Sequence, residues 1–185
     1  MFGYVPAGQI TRMISEPACA LAAIPASAGA LIFDRKGCLL ILKPTYKSGW
    51  TIPGGVMEAD GESPWEACRR EVQEECGLLV RAGRLACVDF RRPRAARAPG
   101  SAGAGRAGRP GGIRFLFDCG ALDDADFGTV VLQPEEICEH RLAPLPVALQ
   151  LLRGPIRRRV RAASSASAAD GAVYLEDGRR LRLVR

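Results

Sequence analysis

One stretch, residues 63–77, has its conformation dictated by its own residues. Ser63 is a good helix N-cap, Pro64 suits the first helical position, and Glu66 stands where the third helical residue completes a capping box. Gly77 supplies the residue that a helix C-terminus accepts in a left-handed conformation. Between them Trp65, Cys68, Val72 and Cys76 recur at helical spacing and form one apolar stripe. The pattern predicts a helix over 64–76, packed by that stripe against a core.

The acids on this helix are placed against its stability. Glu71, Glu74 and Glu75 are related as i, i+3 and i+4, so they share one face beside the apolar stripe. Like charges at this spacing cost a few tenths of a kcal/mol per pair. They also lie near the helix C-terminus, where the helix dipole disfavours anions. A hard divalent cation resolves the conflict, because Mg²⁺ takes carboxylate oxygens and keeps waters for a phosphate. A solvated acidic face, partly neutralised by Arg70 one turn before Glu74, accounts for the same three residues without a metal.

Around this helix the chain mixes strands and helices. Residues 28–34 and 38–43 are apolar runs joined by Asp34-Arg35-Lys36-Gly37, which reads as a hairpin. Residues 50–55 read as a short strand ending in a Pro-Gly-Gly breaker. Residues 78–90 are mostly β-forming, 113–119 alternate as a strand, and 135–141 suit another. Residues 144–152 read as a helix, followed after Gly154-Pro155 by a basic one to about 163. Residues 172–184 look like a hairpin around Asp177-Gly178. Without βαβ regularity this is an α+β chain and not a doubly wound one. The organisation expected is an N-terminal extension over 1–25, a domain over 26–163, and a linker with a C-terminal β-hairpin over 164–185. Within the domain, the Arg-, Gly- and Pro-rich stretch 91–112 reads as a mobile loop.

Composition excludes several classes. The 185 residues are 48% apolar and 25% charged, which is globular usage, and no apolar run has the ~18–20 residues of a membrane span. The apolar stretch 18–33 is interrupted by Pro25 and preceded by Glu16 and Pro17, so it reads as leading into a strand and not as a signal peptide. Seven cysteines without CxxC spacing, and a single histidine, His140, argue against a zinc site or a disulfide scaffold. Small buried thiols in a cytoplasmic protein are the simpler reading. The net charge is +6, with arginines clustered at 91–97, 106–114, 153–161 and 179–185. That surface favours anionic ligands, although the aromatics a nucleic-acid binder would interleave are sparse. A homodimer is compatible with the chain, and a membrane partner is not expected.

Gly54-Gly55, Glu62 and Arg70-Glu71-Val72-Gln73-Glu74-Glu75-Cys76-Gly77-Leu78 together resemble the signature box of the Nudix hydrolases, G-x5-E-x7-R-E-U-x-E-E-x-G-U with U aliphatic. From Glu62 to Leu78 every specified position matches. The one departure is six residues between Gly55 and Glu62 where the pattern has five, with the extra residue falling at Ala59-Asp60-Gly61. The looser likeness spans about 27–153.

The resemblance implies an α/β/α sandwich around a mixed sheet. It implies metal-dependent hydrolysis of the anhydride bond in a nucleoside diphosphate linked to another group, such as ADP-ribose or an NDP-sugar. The metal would be Mg²⁺, with Mn²⁺ as a substitute. Carried over by position, Glu71 and Glu75 are the main ligands, Glu74 completes the set or binds through water, and the Gly55 carbonyl is a further ligand. Arg70 would orient the glutamates or simply pair with Glu74. Glu62 would add to the metal site or brace the loop, and Gly77 is structural. Some members take their general base from a glutamate outside the box. Glu136 is the candidate here, with Glu135 and Glu139 as rivals. Pro93, fifteen positions after Leu78, resembles the spacing in ADP-ribose pyrophosphatases. Tyr46, Lys47 and Trp50 are candidates to line the pocket, with core packing the favoured reading of Trp50. Other readings are an enzyme acting on RNA 5′ ends and a non-catalytic ligand-binding regulator, although no acid of the box is missing.

Overall fold

The computed structural model describes residues 24–95, 108, 110–166 and 171–181. Strands β1 (Ala26–Asp34) and β2 (Cys38–Pro44) pair antiparallel through the expected tight turn, closed by the Gly37 N–H on the Asp34 carbonyl at 3.0 Å. Their side chains alternate between two cores. Leu31, Leu39 and Ile41 point to one, while Ala30, Ile32, Leu40 and Leu42 point to the other. Burial on both faces explains why these strands read as continuous apolar runs.

The remaining elements are β3 (Gly54–Val56), α1 (Pro64–Cys76), β4 (Arg84–Arg91), β5 (Gly112–Leu122), α2 (Asp124–Phe127), β6 (Ile137–Pro144), α3 (Leu145–Leu151), α4 (Gly154–Ser164), β7 (Val173–Glu176) and β8 (Arg179–Arg180). They form one mixed sheet in the order β6-β2-β1-β5-β4-β7-β8, with β3 paired to β1 beside β2. The pairs β1–β5 and β4–β7 are parallel. Helix α1 covers one face through Ala67, Cys68, Val72 and Cys76; α3 and α4 cover the other through Ala148, Val160 and Ala163. This is the α/β/α sandwich. Fully burying an aliphatic side chain such as Val72 is worth roughly 1.5–3 kcal/mol.

Helix α1 forms as its residues require. The Ser63 hydroxyl accepts from the Glu66 N–H at 3.2 Å, and the Glu66 carboxylate accepts from the Ser63 N–H at 2.7 Å. Gly77 ends the helix at φ 71° with its N–H on the Gln73 carbonyl at 2.9 Å.

The structure departs from the sequence reading in three places. Gly54-Gly55 is not a breaker: both residues lie in β3, opposite Gly29 and Ala28 of β1. The two backbones approach so closely that a Cβ on Gly54 would stand 2.3 Å from the Ala28 carbonyl oxygen. Residues 78–90 are a strand only from Arg84. Leu78 and Val80 are buried while Leu79 is exposed, so this connector imitates strand alternation with no partner strand. The short helix α2 is an addition. The hairpin at Asp177-Gly178 forms as expected, both residues at positive φ, and β7 then joins the sheet edge beside β4. The expected extension over 1–25 and the loop over 91–112 fall largely outside the described residues. The ends of that loop, Arg91 and Gly112, face each other as the last register pair of β4 and β5.

On one flank β1 changes partner along its length. Phe33 pairs with Leu39 of β2, whereas Ser27, Ala28 and Gly29 pair with β3. The segment leading into β3 fills the gap, with the Ala30 N–H on the Pro53 carbonyl at 2.9 Å and Thr51 and Leu42 exchanging both backbone bonds. A cleft opens where the partners change.

Candidate active site

Helix α1 and strand β3 meet along the glutamate face. The Glu75 carboxylate accepts from the Gly54 N–H at 2.7 Å. A Cβ on Gly55 would fall 2.3 Å from Glu71 Oε1, so only glycine lets the Glu71 carboxylate lie against the β3 backbone. The extra residue before Glu62 does not disturb this contact. The loop closes on itself, with the Glu62 N–H on the Asp60 carboxylate at 3.0 Å, the Glu58 N–H on the Glu62 carboxylate, and Gly61 at φ 99°.

Arg70 gathers the other acids. Its Nε and Nη2 donate to both Glu62 oxygens at 3.1 and 2.9 Å, and Nη2 also donates to the Val56 carbonyl at 3.1 Å. Its Nη1 donates to Glu71 at 3.1 Å and to Glu74 at 2.9 Å. The Glu62 hydrogen bond foremost raises the Arg70 pKa, and the Arg70 hydrogen bond foremost holds the Glu62 carboxyl below its usual range. The i,i+4 pair with Glu74 is thus one arm of a wider clamp.

Burial separates the acids. Glu75 is 4% exposed, and burial pushes its carboxyl up to about 7, against the pull of the Gly54 N–H and with the push of Glu71 and Glu136. Burial also raises Glu71, opposed by Arg70. Glu136, exposed in the turn before β6, acts on both carboxylates through its charge. Glu139 is turned away, held by Lys43 at 3.4 Å and Arg141 at 3.1 Å. Glu135 offers its carbonyl to the Thr45 hydroxyl at 2.7 Å.

Among the described residues no three His, Cys, Asp or Glu side chains are gathered into a ready metal cage. Arg70 holds Glu62, Glu74 and one oxygen of Glu71, and leaves Glu75 as the buried acid, with the partly buried Glu71 beside it. The donor chemistry fits a hard divalent cation: these groups are oxygen donors only, the charge of Glu71 repels that of the buried Glu75, and no Cβ stands between Gly55 and Glu71.

The cleft beside this pair has a volume of about 250 Å³, and Gly54, Gly55, Tyr46, Lys47, Arg114 and Arg159 are among its lining residues. Trp50 is not part of its lining; it packs against the core beside α3 with the Arg141 guanidinium 4.9 Å above its ring. Pro93 packs at Gly111, also outside that lining. Arg114 and Arg159 had no local signal. They sit in a strand and a helix that meet only through the sheet topology.

The family model described as NUDIX domain matches residues 23–162. The chain belongs to the Nudix hydrolase family. Among solved structures, the MutT protein from Methanosarcina mazei Go1 is 25% identical, with a TM-score of 0.58, covering 78% of this chain and 96% of that one. An Ap4A hydrolase from C. elegans, solved as a binary complex, is 21% identical with a TM-score of 0.56, covering 77% and 96%. The NUDIX domain of Shewanella oneidensis NrtR, complexed with ADP ribose, is 13% identical with a TM-score of 0.59, covering 84% and 94%. No match was found among curated proteins. Among the described residues no helix is long and apolar enough to cross a membrane.

Proposed function

We propose that this enzyme hydrolyses the diphosphate bond of a nucleoside diphosphate joined to another group, with Glu71 and Glu75 as the carboxylates that hold a divalent cation, Mg²⁺ or Mn²⁺. The observation that carries this reading is the buried Glu75 and partly buried Glu71 set against the backbone of Gly54 and Gly55, which line the cleft. A neighbour named as an Ap4A hydrolase and another complexed with ADP ribose support a nucleotide-type substrate.

The chemical obstacle is negative charge on the anhydride and on the departing phosphate. When bound, the cation would compensate that charge and lower the pKa of a water molecule. The chain's own residues do the placing. Glu75 supplies a buried carboxylate and Glu71 a partly buried one, and the Gly55 carbonyl is a further oxygen donor. Arg70 fixes Glu71, Glu74 and Glu62 relative to β3. Glu62 thereby braces the loop, and Glu74, half exposed, remains within reach of solvent and substrate. Glu136 accepts the proton of the attacking water; it is favoured over Glu135 and Glu139 because its charge is the one felt by Glu71 and Glu75. Lys47 and Arg114 both line the cleft and supply the positive charge to meet the diphosphate.

The test is phosphate release from ADP-ribose, NDP-sugars, dinucleoside polyphosphates, nucleoside triphosphates and capped RNA, each with Mg²⁺ and with EDTA. Turnover of one nucleotide class that stops in EDTA is expected. Undiminished turnover in EDTA sinks the proposal, and exclusive action on capped RNA replaces the small-molecule substrate with an RNA 5′ end.

A further inference from the structure

Next to the cleft lies a recess of about 260 Å³ lined by six arginines: Arg91 at the end of β4 with Arg92 and Arg94 just beyond it, Arg114 on β5, Arg153 just before α4 and Arg159 in its middle. Its lining contains no acid. Ion pairs reach three of the six from outside: Asp177 lies 3.3 Å from Arg91, Asp89 lies 3.9 Å from Arg159, and Glu176 pairs with Arg92. Among the described residues Arg94, Arg114 and Arg153 have no acidic partner within ion-pair distance. Three positive charges in one hollow therefore lack an ion-pair partner among the described residues.

The crowding is built in and not a loose surface cluster. Asp89 is wholly buried and spends one oxygen on the Gly178 N–H at 2.7 Å. Its other oxygen, Arg159 Nε and Arg91 Nε are all buried without a hydrogen-bond partner. Burial, with Arg91 and Arg114 beside it, pushes Arg159 down to about 10 against the pull of Asp89. Arg114 is lowered by burial and by Arg91. A fold needing only a stable edge would not concentrate guanidiniums where they depress one another. The 11-residue helix α4 also begins here, and Pro155 and Ile156 of its first turn join the lining. Its N-terminal end adds partial positive charge. The recess shares Arg114, Ile156 and Arg159 with the cleft, so the two hollows are continuous.

We propose that this arginine recess is a second anion subsite that takes a phosphoryl group other than those of the cleaved diphosphate. Guanidinium forks match phosphate oxygens, and a doubly charged phosphomonoester balances most of the excess charge. The phosphoryl group arrives either as a remote phosphomonoester of the substrate or as a free phosphate acting beside it. The first case rests on the reading above that the cleft binds a nucleoside diphosphate derivative.

The test separates the subsite from the hydrolysis. Inorganic pyrophosphate is titrated in EDTA at fixed ionic strength onto the wild type, R94A/R153A and R94K/R153K. Both replaced side chains are exposed, and both line the recess and not the cleft. Saturable binding is expected, weakened about tenfold in the alanine pair and restored in part by lysine. Equal binding by wild type and alanine pair, or none by the wild type, overturns the subsite whatever becomes of the hydrolase reading. With Mg²⁺, KM is then compared for ADP-ribose and ADP-ribose 2′-phosphate. A lower KM for the phosphorylated compound that vanishes in R94A/R153A assigns the subsite to the substrate. Equal KM values, with free pyrophosphate altering turnover of ADP-ribose only in the wild type, assign it to a free phosphate.

Discussion

The buried carboxylate of Glu75 takes a 2.7 Å hydrogen bond from the backbone N–H of Gly54, which ties helix α1 to the glycine strand β3 through an acid. Replacing Glu75 by Gln keeps an acceptor for that N–H but removes the charge. Turnover should fall about 10³-fold, as expected when several kcal/mol of charge compensation is lost, while the melting temperature in EDTA stays level or rises. Wild-type turnover by E75Q would exclude Glu75 as a ligand.

The same acid predicts a pH dependence. Burial raises its pKa from the usual 4.5 to about 7, so the folded protein holds this proton more tightly than the unfolded chain does. Its contribution to metal-free stability is complete below about 4.5 and is lost as pH rises through about 7. That loss is at most about 3 kcal/mol. Denaturant titrations in EDTA should show this slope in the wild type and not in E75Q. Cation binding must displace the same proton. Mg²⁺ affinity, measured by calorimetry, should therefore climb about tenfold per pH unit below about 7 and level off above it.

Arg70 contacts three glutamates and the Val56 carbonyl through a planar fork that a lysine cannot reproduce. Both R70A and R70K should lose roughly 10–100-fold in metal affinity. Full rescue by lysine would show that charge alone matters at this position.

Much of this was legible because it is local. The caps and stripe of α1 lie within fifteen consecutive residues, and the glutamate spacing is a property of that helix alone. The doubly buried strands β1 and β2 announced themselves as apolar runs. What stayed hidden depends on partners distant in the chain. Gly54 and Gly55 read as a turn because nothing nearby reveals that Ala28 and Gly29 press against them. The connector at Leu78–Val80 passed for a strand because alternate burial needs a core beneath it, not a neighbouring ladder. Arg114 and Arg159 looked like ordinary surface charge until parallel pairing of β1 with β5 and the docking of α4 brought them to one cleft.

Gly55→Ala is a steric test of the β3–α1 contact. Gly55 does not have a positive φ, so alanine adds only a methyl group aimed at the Glu71 carboxylate. Displacing that carboxylate should cost about 1–3 kcal/mol of stability and impair Mg²⁺ binding. Normal Mg²⁺ affinity in G55A would mean that Glu71 can leave β3 without consequence.

Replacing Glu136 by Gln should lower kcat about 10²–10⁴-fold, the range of general-base catalysis, with Mg²⁺ affinity nearly unchanged. Full activity in E136Q would pass the role to another acid.

Because β5 grips β1 from Ala26 to Asp34 on one edge while β3 and β2 share the other, the rim of the cleft is latched more weakly than its floor. Strand β3 should unlatch from Ser27, Ala28 and Gly29 while β1 stays clasped to β5 until global unfolding. Amide protons of β3 should therefore exchange through a fast local opening that a bound divalent cation slows, whereas those of β1 bonded to β5 should follow whole-molecule unfolding.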